Sequence, residues 1–254
     1  MKCFLGFSLF AIVGVAGCAQ VSYNDVKAGE FVGKAQLYWV GSAIDAPLGD
    51  GQFLYVPHTT EPLVFRRDPS NNPAPGSEII TPEAFYTDGG SIPRGVQALR
   101  GFNAWTFGPA YIVHDWAFVA RKCMNDEARG DGDVATEEME KLANMTFQDS
   151  VVLMAETIKT IVNAEDIEDE TRVAGSVITS VTAGPISRSL WEKEGACKDQ
   201  TPKDLNATKV AEVVRAGRVA ALQKLNGRTD ALSIPLPDGK VAVEVGNYSL
   251  YGRD

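Results

Sequence analysis

His114 and Asp115 stand side by side in the apolar run AYIVHDWAF, and the chain has one other histidine, His58. A neutral imidazole suits proton abstraction near neutral pH, and a carboxylate suits a hard cation. A second polar stretch lies upstream in YTDGGSIPR, where Asp88, Ser91 and Arg94 surround a Gly-Gly pair free to turn. Asp149 is a further carboxylate among apolar neighbours, in MTFQDSVVLM. Asp88, Ser91, Arg94, His114, Asp115 and Asp149 thus form one candidate cluster. His58 follows Pro57 in a β-like stretch and is read as structural, as are Trp39, Trp105, Trp116 and Trp191, which suit core or interface packing.

The elements that must position this cluster can be read from periodicity. Apolar residues recur at helical spacing from Phe107 to Lys122. Adjacent helical residues point about 100° apart, so His114 and Asp115 cannot face each other and each needs a partner elsewhere. An ionised Asp in an apolar helix is costly unless it is paired, coordinated or at the surface. A second helical pattern runs from about Ala135 to Ala164. Packed as a hairpin, the two helices would bring Asp149 towards His114 or Asp115. Upstream, AQLYWV, GQFLYVP, PLVFRR and SEIITPEAFYT are short β-like runs separated by Gly, Pro, Asn and Asp, so residues 35–88 read as a small antiparallel sheet.

Residues 173–184 are ambiguous between strand and helix. Residues 201–227 read as a helix, with Thr201 as cap, Pro202 in the first turn and Asn226-Gly227 as stop. The end reads as a β-hairpin with Pro237-Asp238-Gly239 near its turn. The fold class expected is α+β: a small antiparallel β region, a helical hairpin, then a C-terminal helix and β-hairpin. The acidic run EDIEDETR reads as a solvated surface.

The segment ITPEAFYTDGGSIPR resembles the VPxGFxTDxASVPR stretch of a phage and bacterial family known only as a domain of unknown function. That family continues with a helical His-Asp-aromatic motif, matched by AYIVHDWAF, and with an aspartate before an apolar stretch, matched by FQDSVVLMAETI. The resemblance covers roughly residues 50–165 and singles out Asp88, Ser91, Pro93, Arg94, His114, Asp115 and Asp149. Gly89-Gly90 departs from the usual apolar-Ala pair, and residues 124–140 lengthen the gap to the last motif. It implies candidate residues and no reaction.

The His-Asp pair beside a Gly-rich turn is also similar to the constellation of secreted phospholipases A2. That likeness implies His114 as base, Asp115 and Asp88 with the 86–90 loop as calcium ligands, and Asp149 as the group orienting His114, although the disulfide framework of those enzymes is absent. A metal-dependent phosphohydrolase of the HD superfamily would need another helical histidine upstream. A serine hydrolase would need a Gly-x-Ser-x-Gly elbow, which the chain lacks. The alternative to a hydrolytic centre is a buried hydrogen-bonded clasp in a non-catalytic envelope protein.

The compartment follows from the other end. Lys2, an apolar run from Phe4 to Ala16 and polar sequence after it give the pattern of a secretory signal over residues 1–17. Val15-Ala16-Gly17-Cys18 resembles a bacterial lipobox, which implies cleavage before Cys18 and its lipidation. Ala19, in place of the aspartate that favours inner-membrane retention, points to the periplasmic face of the outer membrane. Cys123 and Cys197 then remain in an oxidising compartment, free to bridge or to stay as buried thiols.

Acidic side chains number 33 against 24 basic ones, and losing the signal removes only Lys2 from either set. That balance argues against nucleic acid and against electrostatic attraction to anionic lipid, so the membrane link is the lipid itself. The expected organisation is a tether over 18–34, a core domain over 35–165 and a C-terminal extension over 166–254 packing on it.

Overall fold

The computed structural model describes residues 21–41, 52–87, 107–130, 135–164, 169–201, 233–235 and 241–250. The class is α+β: an antiparallel sheet with helices inserted between its fifth and sixth strands. The strands are β1 (Glu30–Gly41), β2 (Gln52–Pro57), β3 (Val64–Arg66), β4 (Ile79–Ile80), β5 (Phe85–Thr87), β6 (Ser233–Pro235) and β7 (Val241–Leu250). The helices are α1 (Gly108–Ala128), α2 (Glu137–Glu140), α3 (Phe147–Ala164), α4 (Asp169–Thr182), α5 (Pro185–Trp191) and α6 (Cys197–Gln200).

β1 organises the sheet. It pairs with β2 from Ala35↔Pro57 to Val40↔Gln52, with β3 from Glu30↔Arg66 to Val32↔Val64, and with β7 from Gly33↔Leu250 to Gly41↔Val241. Between β2 and β3 the chain makes an excursion that closes against Gly33. A Cβ there would lie 2.0 Å from the Pro62 carbonyl oxygen, and φ is +91°, so only glycine fits. β5 pairs with β2, and β6 with β7. The last strand is therefore a hydrogen-bonded neighbour of the first, and the C-terminal end is woven into the sheet instead of lying on the core as an extension. The expected hairpin is present as β6–β7. Its turn and the expected helix over 201–227 lie outside the described residues, apart from Thr201, which follows α6.

One row of side chains crosses the sheet: Leu37 opposite Tyr55, and Tyr55 opposite Phe85. Phe85 meets Trp116 of α1 at 5.8 Å between ring centroids, so this face packs on α1. Gly108 and Pro109 open α1, with proline in the first turn where its missing N–H costs nothing. The helix extends to Ala128, beyond the expected stop at Lys122.

The expected helix over 135–164 is two helices, α2 and α3. Thr146 caps α3: its hydroxyl accepts from the Asp149 N–H at 3.1 Å, and Asp149 Oδ2 accepts from the Thr146 N–H at 2.9 Å. This reciprocal capping box fixes a helix start at Phe147. The ambiguous 173–184 segment falls mostly within α4, which packs on α3.

Residues 21–29 are not a free tether. Tyr23 and Val26 join Ile158, Val162 and Ile178 in a core between α3, α4 and the start of α1. Lys159 Nζ donates to the carbonyls of Tyr23, Asn24 and Val26, and Thr160 Oγ1 accepts from the Gly29 N–H at 2.9 Å. The Tyr23 ring lies so close to Gly175 that any Cβ there would collide at 2.6 Å.

Two further ties hold the helices. Cys123 and Cys197 form a disulfide between α1 and α6. Beside it, buried Asp126 accepts from the N–H groups of Gly195 and Cys197. Between β3 and α3, the fully buried Arg67 donates through Nε to Glu156 Oε2 at 2.9 Å, and the Asp68 N–H donates to Glu156 Oε1.

Candidate functional site

The site grows from the end of β5 and the second turn of α1. Alternation along β5 puts Phe85 and Thr87 on the same face, towards α1. Phe85 packs on Trp116, and Thr87 Oγ1 donates to Asp115 Oδ2 at 2.5 Å. The two polar motifs of the sequence are therefore joined where the strand ends, immediately before Asp88. Asp88, Ser91, Pro93 and Arg94 lie outside the described residues.

His114 is buried, and its ring lies tilted against Phe118 at 4.9 Å between centroids, with Phe118 edge-on to Trp191 at 5.0 Å. Its Nδ1 lies 3.9 Å from Asp115 Oδ1, an ion-pair distance too long for a hydrogen bond. His114 Nε2 is buried with no hydrogen-bond partner among the described residues. Tyr111, one turn earlier on the same face, also has a buried hydroxyl without a partner among the described residues. Burial pushes the Tyr111 phenol above its ordinary range, and the negative charge of Asp115 adds to the rise. Asp115 itself is the open member, with its side chain 24% exposed.

Asp149 is not part of this arrangement. Its carboxylate is held by the backbone and hydroxyl of Thr146, at 2.9 and 2.6 Å, at the start of α3. The expectation that it orients His114 is corrected: its hydrogen bonds cap its own helix. His58 keeps a local role, accepting through Nδ1 from the Glu61 N–H at 3.2 Å.

Thr87 and Tyr111 are the site residues that the sequence reading missed. Thr87 was legible as the residue two after Phe85 on an alternating strand. Tyr111 was legible from its spacing of three and four before His114 and Asp115.

Among the described residues, no group of three or more His, Cys, Asp or Glu side chains is placed to share a metal ion. Also among them, no helix is long and apolar enough to cross a membrane. Comparisons with protein-family models, with curated proteins and with solved structures found no match. The resemblances described above therefore rest on the quoted segments alone.

Proposed function

We propose that this is a lipid-anchored envelope protein, bacterial or phage-encoded, with a hydrolytic centre at the β5–α1 junction acting on lipid or envelope substrates. The observation that carries the reading is the pair of buried, unpartnered groups, His114 Nε2 and Tyr111 Oη, on the helix face that presents Asp115. A self-contained clasp would pair them, because a buried polar atom without a partner costs about 1–3 kcal/mol. Other buried side-chain atoms among the described residues, such as Gln36 Nε2 and Trp116 Nε1, also lack a partner, but only His114 and Tyr111 lie one turn apart beside a partly open carboxylate, which suits a centre that a bound molecule completes.

In this reading His114 Nε2 is the proton acceptor for an attacking water, with Phe118 fixing the ring plane. Thr87 holds Asp115 in one rotamer. The Tyr111 hydroxyl stays protonated and is available as a donor to developing negative charge. The oxygen donors of Asp115 and Thr87 are of the type calcium takes, and calcium bound there would polarise a substrate carbonyl. The Cys123–Cys197 disulfide supports export, because such bonds persist in oxidising compartments. The lipid anchor at Cys18 and the outer-membrane location belong to the same proposal.

The alternative is a non-catalytic envelope protein in which the cluster is a clasp. The Thr87–Asp115 bond and the burial of His114 favour it. The deciding experiment compares wild type with His114→Asn and Asp115→Asn. Ester and phospholipid hydrolysis are measured with calcium or with chelator, and folding is followed by thermal melts. Folded variants that lose hydrolysis support the centre. No hydrolysis and no calcium-linked rise in Tm, together with variants that melt several degrees lower, would leave only the clasp.

A further inference from the structure

Among the described residues, four of the five exposed large apolar side chains fall within one short stretch: Val177, Val181, Ile186 and Leu190, with Ile186 79% exposed. Val177 and Val181 are one turn apart on α4, and Ile186 and Leu190 one turn apart on α5. The chain between them is small and uncharged. The one charge interleaved with them, Arg188, is held by Glu192 and lies over the Phe147 ring. Large apolar side chains at helical spacing facing water mark a contact surface.

What covers it follows from where the chain reaches the membrane. Tyr23 is pinned on the buried Gly175, two residues before Val177 on α4, and Lys159 clamps the carbonyls around it. Only Ala19 and Gln20, three Cα–Cα steps in all, separate Cys18 from Val21, which packs against the same core. Even fully extended they reach about 11 Å. Lipid on Cys18 therefore enters the bilayer close to α4, with no tether to lift the domain away. The chain's acidic balance gives no electrostatic pull towards anionic headgroups, so an apolar contact is the one that fits.

We propose that the outer faces of α4 and α5 rest in the membrane interface beside the anchor. Val177, Val181, Ile186 and Leu190 sit among the upper acyl chains and fix the orientation of the domain on the bilayer. This rests on the reading of Cys18 as the lipidated residue. Lipid supplies attachment, and the strip supplies orientation.

Hydrogen exchange of the full lipidated protein in phosphatidylcholine vesicles tests it, compared with a soluble Cys18→Ser form. Amides across 177–190 should exchange roughly tenfold more slowly on vesicles. The double variant Val181→Ser, Ile186→Ser should still float with vesicles, keep its melting temperature and lose that protection. Unchanged exchange at 177–190 in protein that floats would overturn the proposal. So would protection already present in the soluble form, which would mean that residues 202–232 or a second copy cover the strip. Protein whose mass lacks lipid and which stays in the aqueous phase would overturn the anchor reading itself, and with it the proposal.

Discussion

Thr87 and Asp115 are joined across 28 residues by a 2.5 Å hydrogen bond that ties the end of β5 to the second turn of α1. Thr87 is buried and Asp115 is partly open, so the bond anchors a carboxylate from the dry side and leaves its other side to solvent or ligand. Replacing Thr87 with Val keeps the shape and removes the donor. The expected loss is about 1–2 kcal/mol in chemical denaturation, since the acceptor is charged and water can compensate in part. If the proposed hydrolytic centre operates, its rate should fall more than stability does.

His114→Phe separates a ligand-completed centre from a clasp without assuming any substrate. Phenylalanine keeps the ring contact with Phe118 and removes a buried nitrogen that has no partner among the described residues. In the ligand-free protein the change should be close to neutral or stabilising in urea denaturation, as expected when an unsatisfied polar atom is deleted. A loss of several kcal/mol would mean that His114 holds the fold together.

Asp149→Ala should cost about 1 kcal/mol through loss of the capping box at α3, with Thr146→Ala similar. Neither should change the kcat of any hydrolysis supported by His114. An Asp149→Ala protein that folds but loses a hydrolysis the wild type performs would restore the sequence expectation that Asp149 serves His114.

Cys123 and Cys197 close a loop across a separation of 74 residues. Cys123→Ser should destabilise by about 4 kcal/mol on the chain-entropy account. Asp126 and the backbone of residues 195–197 keep α6 beside α1 in the folded state, so the effect should be largely on the unfolded chain. Denaturation of the oxidised protein against the variant, at matched pH, reads it directly.

The β runs and α1 were legible because alternation and helical spacing leave marks on one strand or helix at a time. Phe85 and Thr87 follow the period-2 rule, and Pro109 marks the start of α1. The break between α2 and α3 was hidden because Met139, Leu142 and Met145 are all buried and carry the apolar spacing through the turn. The signal was present as Thr146-x-x-Asp149, but a carboxylate among apolar residues was read as chemistry when it was a cap. Residues 21–29 were read as part of a tether because small and polar residues dominate the stretch around the isolated Tyr23 and Val26. They are held by the buried side chains of Tyr23 and Val26 and by carbonyls caught by Lys159, and side-chain patterning does not record the second of these ties. The sequence reading likewise had no signal for the pairing of Arg67 with Glu156, two charges 89 positions apart.

That pair should behave as a buried charge pair. Both side chains are inaccessible, and Arg67 keeps one terminal nitrogen without a partner among the described residues. Arg67→Met or Glu156→Leu alone strands a charge and should cost about 3–5 kcal/mol, whereas the double replacement should cost less than either. Burial pushes the Glu156 carboxyl up from its ordinary 4.5, outweighing the lowering pull of Arg67 and the Asp68 N–H. Between that ordinary value and the raised native one, the folded protein keeps a proton that the unfolded chain has released. Stability from this group therefore falls as pH rises through the window and is level above it. The stability difference between wild type and Glu156→Gln, taken from urea denaturation at a series of pH values, should shrink as pH climbs from 4.5. A difference that grows over the same range would show that Arg67 outweighs burial and holds the carboxyl below its ordinary value.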